Sequence, residues 1–211
     1  MQVLLDGQPL VVDRPSLASA LEHAVASARG RGRIVVEVKG DGVVLSGDDL
    51  SSPSDSERPY QKLDMISADP RVLVRQTVLD AVEALESVRH EQARAMEQVQ
   101  TGEVGEALTT LQGAFVTWQA ARDVVSRGAQ LLSIDLETVE LQGVPEGVTF
   151  ATATKDLLTH LAQLKNALEQ QDWSALSDVV GYDLDSDAQH WHALLTGFAD
   201  YIKGLSPGAG V

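Results

Sequence analysis

Apolar residues in the first 69 positions fall in short runs separated by turn residues, whereas past Pro70 they recur at every third and fourth position. This change of period divides the chain into two regions. "MQVLLDGQPLVV" sets Asp6-Gly7 between two apolar runs, a hairpin signal. Ser16 then precedes Leu17, Leu21, Ala24, Val25 and Ala28, which recur at helical spacing, and Gly30 marks the end of that helix. "RIVVEVKGDGVVLSG" holds two further runs around Lys39-Gly40-Asp41-Gly42. A Ser-, Pro- and Asp-rich loop at 51–59 leads to a last alternating run, "YQKLDMIS". The predicted order over 1–69 is β-β-α-β-β-loop-β, and one helix laid over one sheet buries the apolar face of each.

Proline suits the first position of a helix, so Pro70 opens the second region. The spacing predicts a helix over 70–100 with a stripe of Val74, Val78, Ala81, Val82, Leu85, Val88, Met96 and Val99. Thr101-Gly102 breaks it. A second helix follows over 103–132 on Val104, Leu108, Leu111, Phe115, Trp118, Val125, Ala129 and Leu132. Ala107, Ala114, Ala121 and Gly128 repeat every seven residues beside that stripe, so another helix can approach closely there. Residues 133–148 read as a short extended insertion containing a Gln142-Gly143 turn. A third helix spans 149–171 on Phe150, Leu157, Leu161, Leu164 and Leu168. The fourth starts near Trp173 and meets a break signal at Gly181. It restarts behind a Ser186/Gln189 capping box, then runs on through Leu184, Ala188, Trp191, Leu195, Phe198 and Ile202. The expected fold class is therefore α+β: a small domain at 1–69, an antiparallel four-helix bundle at 70–203, and a flexible tail at 204–211.

The order of the first region resembles the β-grasp, or ubiquitin-like, fold. The likeness rests on the opening hairpin, the helix Leu17–Ala28, "RIVVEVKGDGVVLSG" and the closing run "QKLDMIS". It implies a sheet face or edge that binds other proteins. Conjugated members of that family end their closing strand in a free Gly-Gly, whereas here Ala68, Asp69 and Pro70 follow, so the modifier role is not implied. The stretch "QTGEVGEALTTLQGAFVTWQAARDVV" resembles flagellar export chaperones, acidic helical proteins that hold a client helix in a groove.

Charge narrows the partners. The chain carries a net charge of -15, with 16 basic and 31 acidic side chains. Phosphate backbones and anionic membrane surfaces repel such a chain, so neither nucleic acid nor membrane is expected as a partner. The chain has no cysteine, which removes disulfides, thiolate metal sites and cysteine nucleophiles and fits a cytoplasmic setting. Its start carries no signal-peptide pattern.

Several residues could carry chemistry. His190 and His192 flank Trp191, but side chains two apart on a helix point about 200° from each other and cannot share a metal. Glu86/His90 and Asp156/His160 have the i,i+4 spacing that a metal in a bundle can use, although His90 falls outside its stripe. "HEQAR" has Arg94 where a zinc protease needs its second histidine. Asp183, Asp185 and Asp187 alternate as in a calcium loop, but Ala188 and Leu194 stand where that loop needs glycine and glutamate. An acidic helix start explains them better. "RGRGR" at 29–33 suits the C-terminus of the preceding helix. No phosphate loop or nucleophile elbow is present. The expectation is a non-enzymatic protein without metal or cofactor.

Arg89, Gln92 and Arg122 are polar side chains on otherwise apolar stripes, close in pattern to Trp118. They read as the rim of a partly open seam between the helices at 70–100 and 103–132, where a partner helix or peptide docks. An adaptor or scaffold protein, self-associating or bound to another protein, is the leading reading. An export-chaperone-like protein and a metal- or small-ligand-binding helical enzyme are the alternatives.

Overall fold

The computed structural model describes residues 1–45, 47–51 and 60–205. The chain is mixed α and β, with a five-stranded sheet at its N-terminus followed by helices. It divides into two compact units, one ending at Leu73 and the other spanning Val74–Leu205. Most of the loop expected at 51–59 and of the tail expected at 204–211 lies outside the described residues.

The first unit opens with β1 (Gln2–Leu5) and β2 (Gln8–Pro9). Asp6 and Gly7 between them both have positive φ, 53° and 76°, the turn that matches the twist of a hairpin. Next come α1 (Leu17–Arg29), β3 (Ile34–Gly40) and β4 (Val43–Val44). Asp41 and Gly42 repeat the same turn chemistry with φ of 50° and 87°. A short helix, α2 (Gly47–Ser51), and β5 (Lys62–Ala68) complete the unit. The strand order is β2-β1-β5-β3-β4, with β1 and β5 parallel and the other pairs antiparallel.

Ser16 caps α1, its hydroxyl accepting the Ser19 N–H at 3.2 Å. The helix turns Leu17, Ala20, Ala24 and Ala28 inward, to pack with Val3, Leu5, Val38, Leu63 and Met65 of the sheet. Val25, expected on that face, is 44% exposed, and Ala20 takes the inward place. A small residue there lets the helix sit close on the strands.

The second unit takes most of α3 (Pro70–Gln100), then α4 (Val104–Leu131), α5 (Phe150–Gln170), α6 (Trp173–Asp178) and α7 (Leu184–Gly204). Asp69 starts α3, its carboxylate accepting the Arg71 N–H at 2.9 Å ahead of Pro70's ring. On α3 and α4, Gln98 meets Thr110 and Val74 meets Gly128, so the two helices run antiparallel along their length. A Cβ on Gly128 would stand 2.6 Å from Val74 Cγ1, which explains why that position is bare. The inner face of α4 is Ala107, Leu111, Ala114, Trp118, Ala121, Val125 and Gly128. The column of small residues therefore lies in the seam itself, and Leu108 turns outward at 36% exposure.

Two expectations change here. Residues 133–148 form no strand; they are a succession of turns, with Gly143 and Gly147 at positive φ. Leu136, Leu141, Val144 and Val148 from this segment pack on the helical core, and Gly197 of α7 leaves room for the Gln142 carbonyl. The weak alternation thus comes from intermittent anchoring, not from a pleated strand. The sequence leaves open whether the last helix breaks at Gly181, and it does not. A π turn at Val179–Asp183 joins α6 to α7, and Ser186 and Gln189 form no capping box. Without a chain break α7 has no free first-turn N–H groups for a cap to satisfy. A Cβ on Gly181 would meet Met96 Sδ at 2.4 Å, so glycine lets the π turn lie against α3.

Candidate interaction site

The seam between α3 and α4 was the expected docking groove, and the structure fills it from within the chain. Trp118 is 1% exposed and meets Trp191 of α7 edge to face at 6.1 Å. Phe150 of α5 packs on Trp191 and on Phe198 in the same manner, at 6.0 and 5.7 Å. The hydrophobic helix that this seam calls for is thus the chain's own α7.

Each of the other residues assigned to the rim has a definite place. Arg89 donates from Nε to Asp185 Oδ1 at 2.8 Å, reaching across to α7 rather than to Glu83 or Glu86 of its own helix. Arg89 in turn holds the Asp185 carboxyl below the usual carboxylate range. Gln92 is 2% exposed, and neither amide atom has a hydrogen-bond partner. Arg89, Gln92 and Met96 share one face of α3 by their spacing. Gln92 therefore lies between the Arg89–Asp185 pair and the Met96–Gly181 contact, beside the π turn. The Trp118 indole N–H is likewise buried without a partner. Arg122 is half-buried and makes no hydrogen bond or ion pair among the described residues, as an arginine does when its stem covers apolar surface and its head reaches water. Trp118 and Arg89 both meet α7, and Gln92 is buried one turn along α3 from Arg89.

The aspartates at the start of α7 form a feature that alternation alone does not reveal. Residues 185 and 187 lie about 200° apart around the axis, so they address different neighbours. Asp185 binds Arg89 of α3 and also accepts from Gln189 Nε2 at 2.7 Å. Asp187 is 2% exposed and pairs with His160 Nδ1 of α5 at 2.8 Å. Burial pushes the Asp187 carboxyl above the ordinary range, against the pull of His160. His192, one turn further on, pairs with Glu86 at 3.5 Å, while His90 stands exposed on α3. The signal for these pairs was present in the sequence as Asp156/His160 and the alternating aspartates. Which helix each would face was not. Among the described residues no group of three or more His, Asp or Glu is placed to hold a metal ion.

In the first unit "RGRGR" turns back on the fold. Arg31 Nε donates to the Ser27 carbonyl at the end of α1, at 3.2 Å. Arg33 donates to the Ser67 hydroxyl at 2.7 Å and to the Ser67 carbonyl. Asp6 closes the network by accepting from both the N–H and the hydroxyl of Ser67, each at 2.7 Å. These bonds from Ser67, helped by Arg33 and Arg31, hold the Asp6 carboxyl below its ordinary range.

An open surface lies at the β3–β4 side of this sheet. β4 pairs with only Lys39 and Gly40 of β3, and beyond the Leu45 N–H bond to Val38 no described strand covers β3 on that side. Val43 and Val44 are 68% and 57% exposed, and Val36, at a bulge in β3, is 46% exposed. The register places Val44 opposite Lys39 and Ile66 opposite Glu37, on the face away from α1. Lys39 and Glu37 pair with each other at 2.6 Å on that face, and Lys62 and Asp64 pair beside them at 2.8 Å. No helix among the described residues is long and apolar enough to cross a membrane. No protein-family model, curated protein or solved structure matches the chain.

Proposed function

We propose that this chain is a non-catalytic protein-interaction protein, an adaptor that captures an extended segment of a partner protein at the β3–β4 edge of its sheet. The observation that carries the reading is a strand edge only partly paired, flanked by exposed aliphatic side chains at Val36, Val43 and Val44, with Ile66 on the outer face. A sheet edge offers a row of N–H and C=O groups to an incoming strand, and proteins that do not use such an edge usually blunt it with charge or proline. Here the outermost residues are two valines. The mixed sheet with a parallel central pair and one helix across its inner face supports assigning residues 1–69 to the β-grasp class. In the second unit α6, the π turn and α7 together serve as the fourth rod of a helical bundle.

This reading moves the partner site from the helices to the sheet. A chaperone-like role would require a client helix to replace α7, ten of whose residues are buried. Aliphatic side chains buried to that degree hold their helix at about 1.5–3 kcal/mol each. A photo-crosslinking amino acid at Val44, and separately at exposed Leu158 of α5, tests the proposal in the native cell. Adducts to one protein are expected from position 44 and not from 158. Adducts from 158 alone overturn the assignment.

A further inference from the structure

A carboxylate as buried as Asp187 is unfavourable unless its charge is balanced. The groups that act on it are few. His160 and Asp156 come from α5 and His190 from α7 itself. Asp183 stands four residues earlier on the π turn, and the Arg89–Asp185 and Glu86–His192 pairs tie α7 to α3 instead. The positive groups near Asp187 are therefore imidazoles, the side chains whose charge ordinarily changes between about pH 5 and 8. Asp185, by contrast, is held by a guanidinium that does not titrate in that range.

We propose that Asp187 and His160 form a proton-controlled clamp between α7 and α5, set beside a permanent clamp, Asp185–Arg89, between α7 and α3. With the imidazole protonated, the buried pair carries no net charge and its 2.8 Å contact is an ion pair. With the imidazole neutral, a bare carboxylate is left inside the fold, near the like charge of Asp156. The α5 side of α7 loosens while the α3 side stays fixed. Because α7 carries Trp191 onto Trp118, the loosening falls on the helix that closes the α3–α4 seam. Burial by itself also raises the Asp187 carboxyl, and a contribution from that source is lost as pH rises without any help from the imidazole, so the His160 variant is what separates the two sources.

The test uses the full chain and compares thermal midpoints of wild type, Asp187→Asn, Asp185→Asn and His160→Gln between about pH 5 and 8.5. The wild-type advantage over Asp187→Asn is expected to shrink by about 3 °C or more as pH rises. The difference from Asp185→Asn is expected to stay flat, and His160→Gln is expected to remove the pH dependence of the Asp187→Asn effect. Parallel curves for wild type and Asp187→Asn overturn the proposal, as does a pH-dependent difference that survives in His160→Gln. If the Asp187 variant does not fold, NMR of the wild type decides. The His160 ring nitrogens and the first amides of α7 must then titrate together, and separate titrations overturn the clamp.

Discussion

The sheet unit and the helical unit treat their buried polar groups in different ways. The sheet unit satisfies its internal polar groups, with Asp6, Ser67 and Arg33 closed into one network, and leaves valines and an isoleucine outside. The helical unit covers its large aromatic residues and leaves polar atoms unpaired inside, at Gln92 and the Trp118 indole. A buried polar group without a partner gives up its hydration with no return. Exposed aliphatic groups cost little in the folded protein and are available to another molecule. The contrast lies in the polar groups, which the sheet unit pairs and the helical unit leaves partly unpaired, while both units expose aliphatic side chains.

Three substitutions sharpen that contrast. The largest effect is expected from Trp191→Ala, which removes the ring packed against both Trp118 and Phe150. A loss of about 3–5 kcal/mol is expected in urea unfolding, the range for emptying an aromatic site. A loss below ~1 kcal/mol would mean that α7 does not close the seam.

Asp6→Ala comes next. It leaves the Ser67 N–H without its acceptor and removes a charge beside Arg33 and Arg31, for an expected cost of about 1–3 kcal/mol. Acid should mimic it in wild type. The folded-state value of Asp6 is lowered, so its contribution is present above about pH 4 and is lost as pH falls through the lowered value. Hydrogen exchange at Ser67 followed down the pH scale checks this sign. It runs opposite to the trend set by Asp187, so the two units should respond to acid in different directions at these two carboxylates.

Gln92→Leu should have the smallest effect. It replaces two unpartnered amide atoms with a side chain of similar reach, and an unfolding free energy unchanged or raised by up to ~1 kcal/mol is expected in urea. A clear destabilisation would show that the amide has a partner beside the π turn.

Much of the architecture was legible because period and turn chemistry are local. The Asp6-Gly7 and Asp41-Gly42 turns, the Ser16 cap and the bounds of α3 follow from residues within a few positions of one another. The inner face of α4 was legible only in part. Leu108 and Ala107 are adjacent, and which of them turns inward depends on how closely the neighbouring helix approaches.

The candidate site was less legible. Arg89, Gln92, Arg122 and Trp118 stood out as polar or bulky residues on apolar stripes, and from the sequence alone the seam between those stripes looked open. It is closed because α7 brings Trp191 and Asp185 to it from some 70 and 100 residues away. The valines of β4 read as ordinary strand residues until the strand order placed them on an edge.

By itself the sequence determined the elements: their periods, caps and turns, and which residues each helix or strand could turn to one side. Tertiary structure decided which of those sides meet. It sent Asp185 to an arginine and Asp187 to a histidine, kept α6 and α7 joined through a π turn at Gly181, and left Val43 and Val44 in water. The reason is one of range. A cap or turn is fixed by neighbours a few residues away, whereas burial and pairing depend on groups that the chain brings together only when it folds.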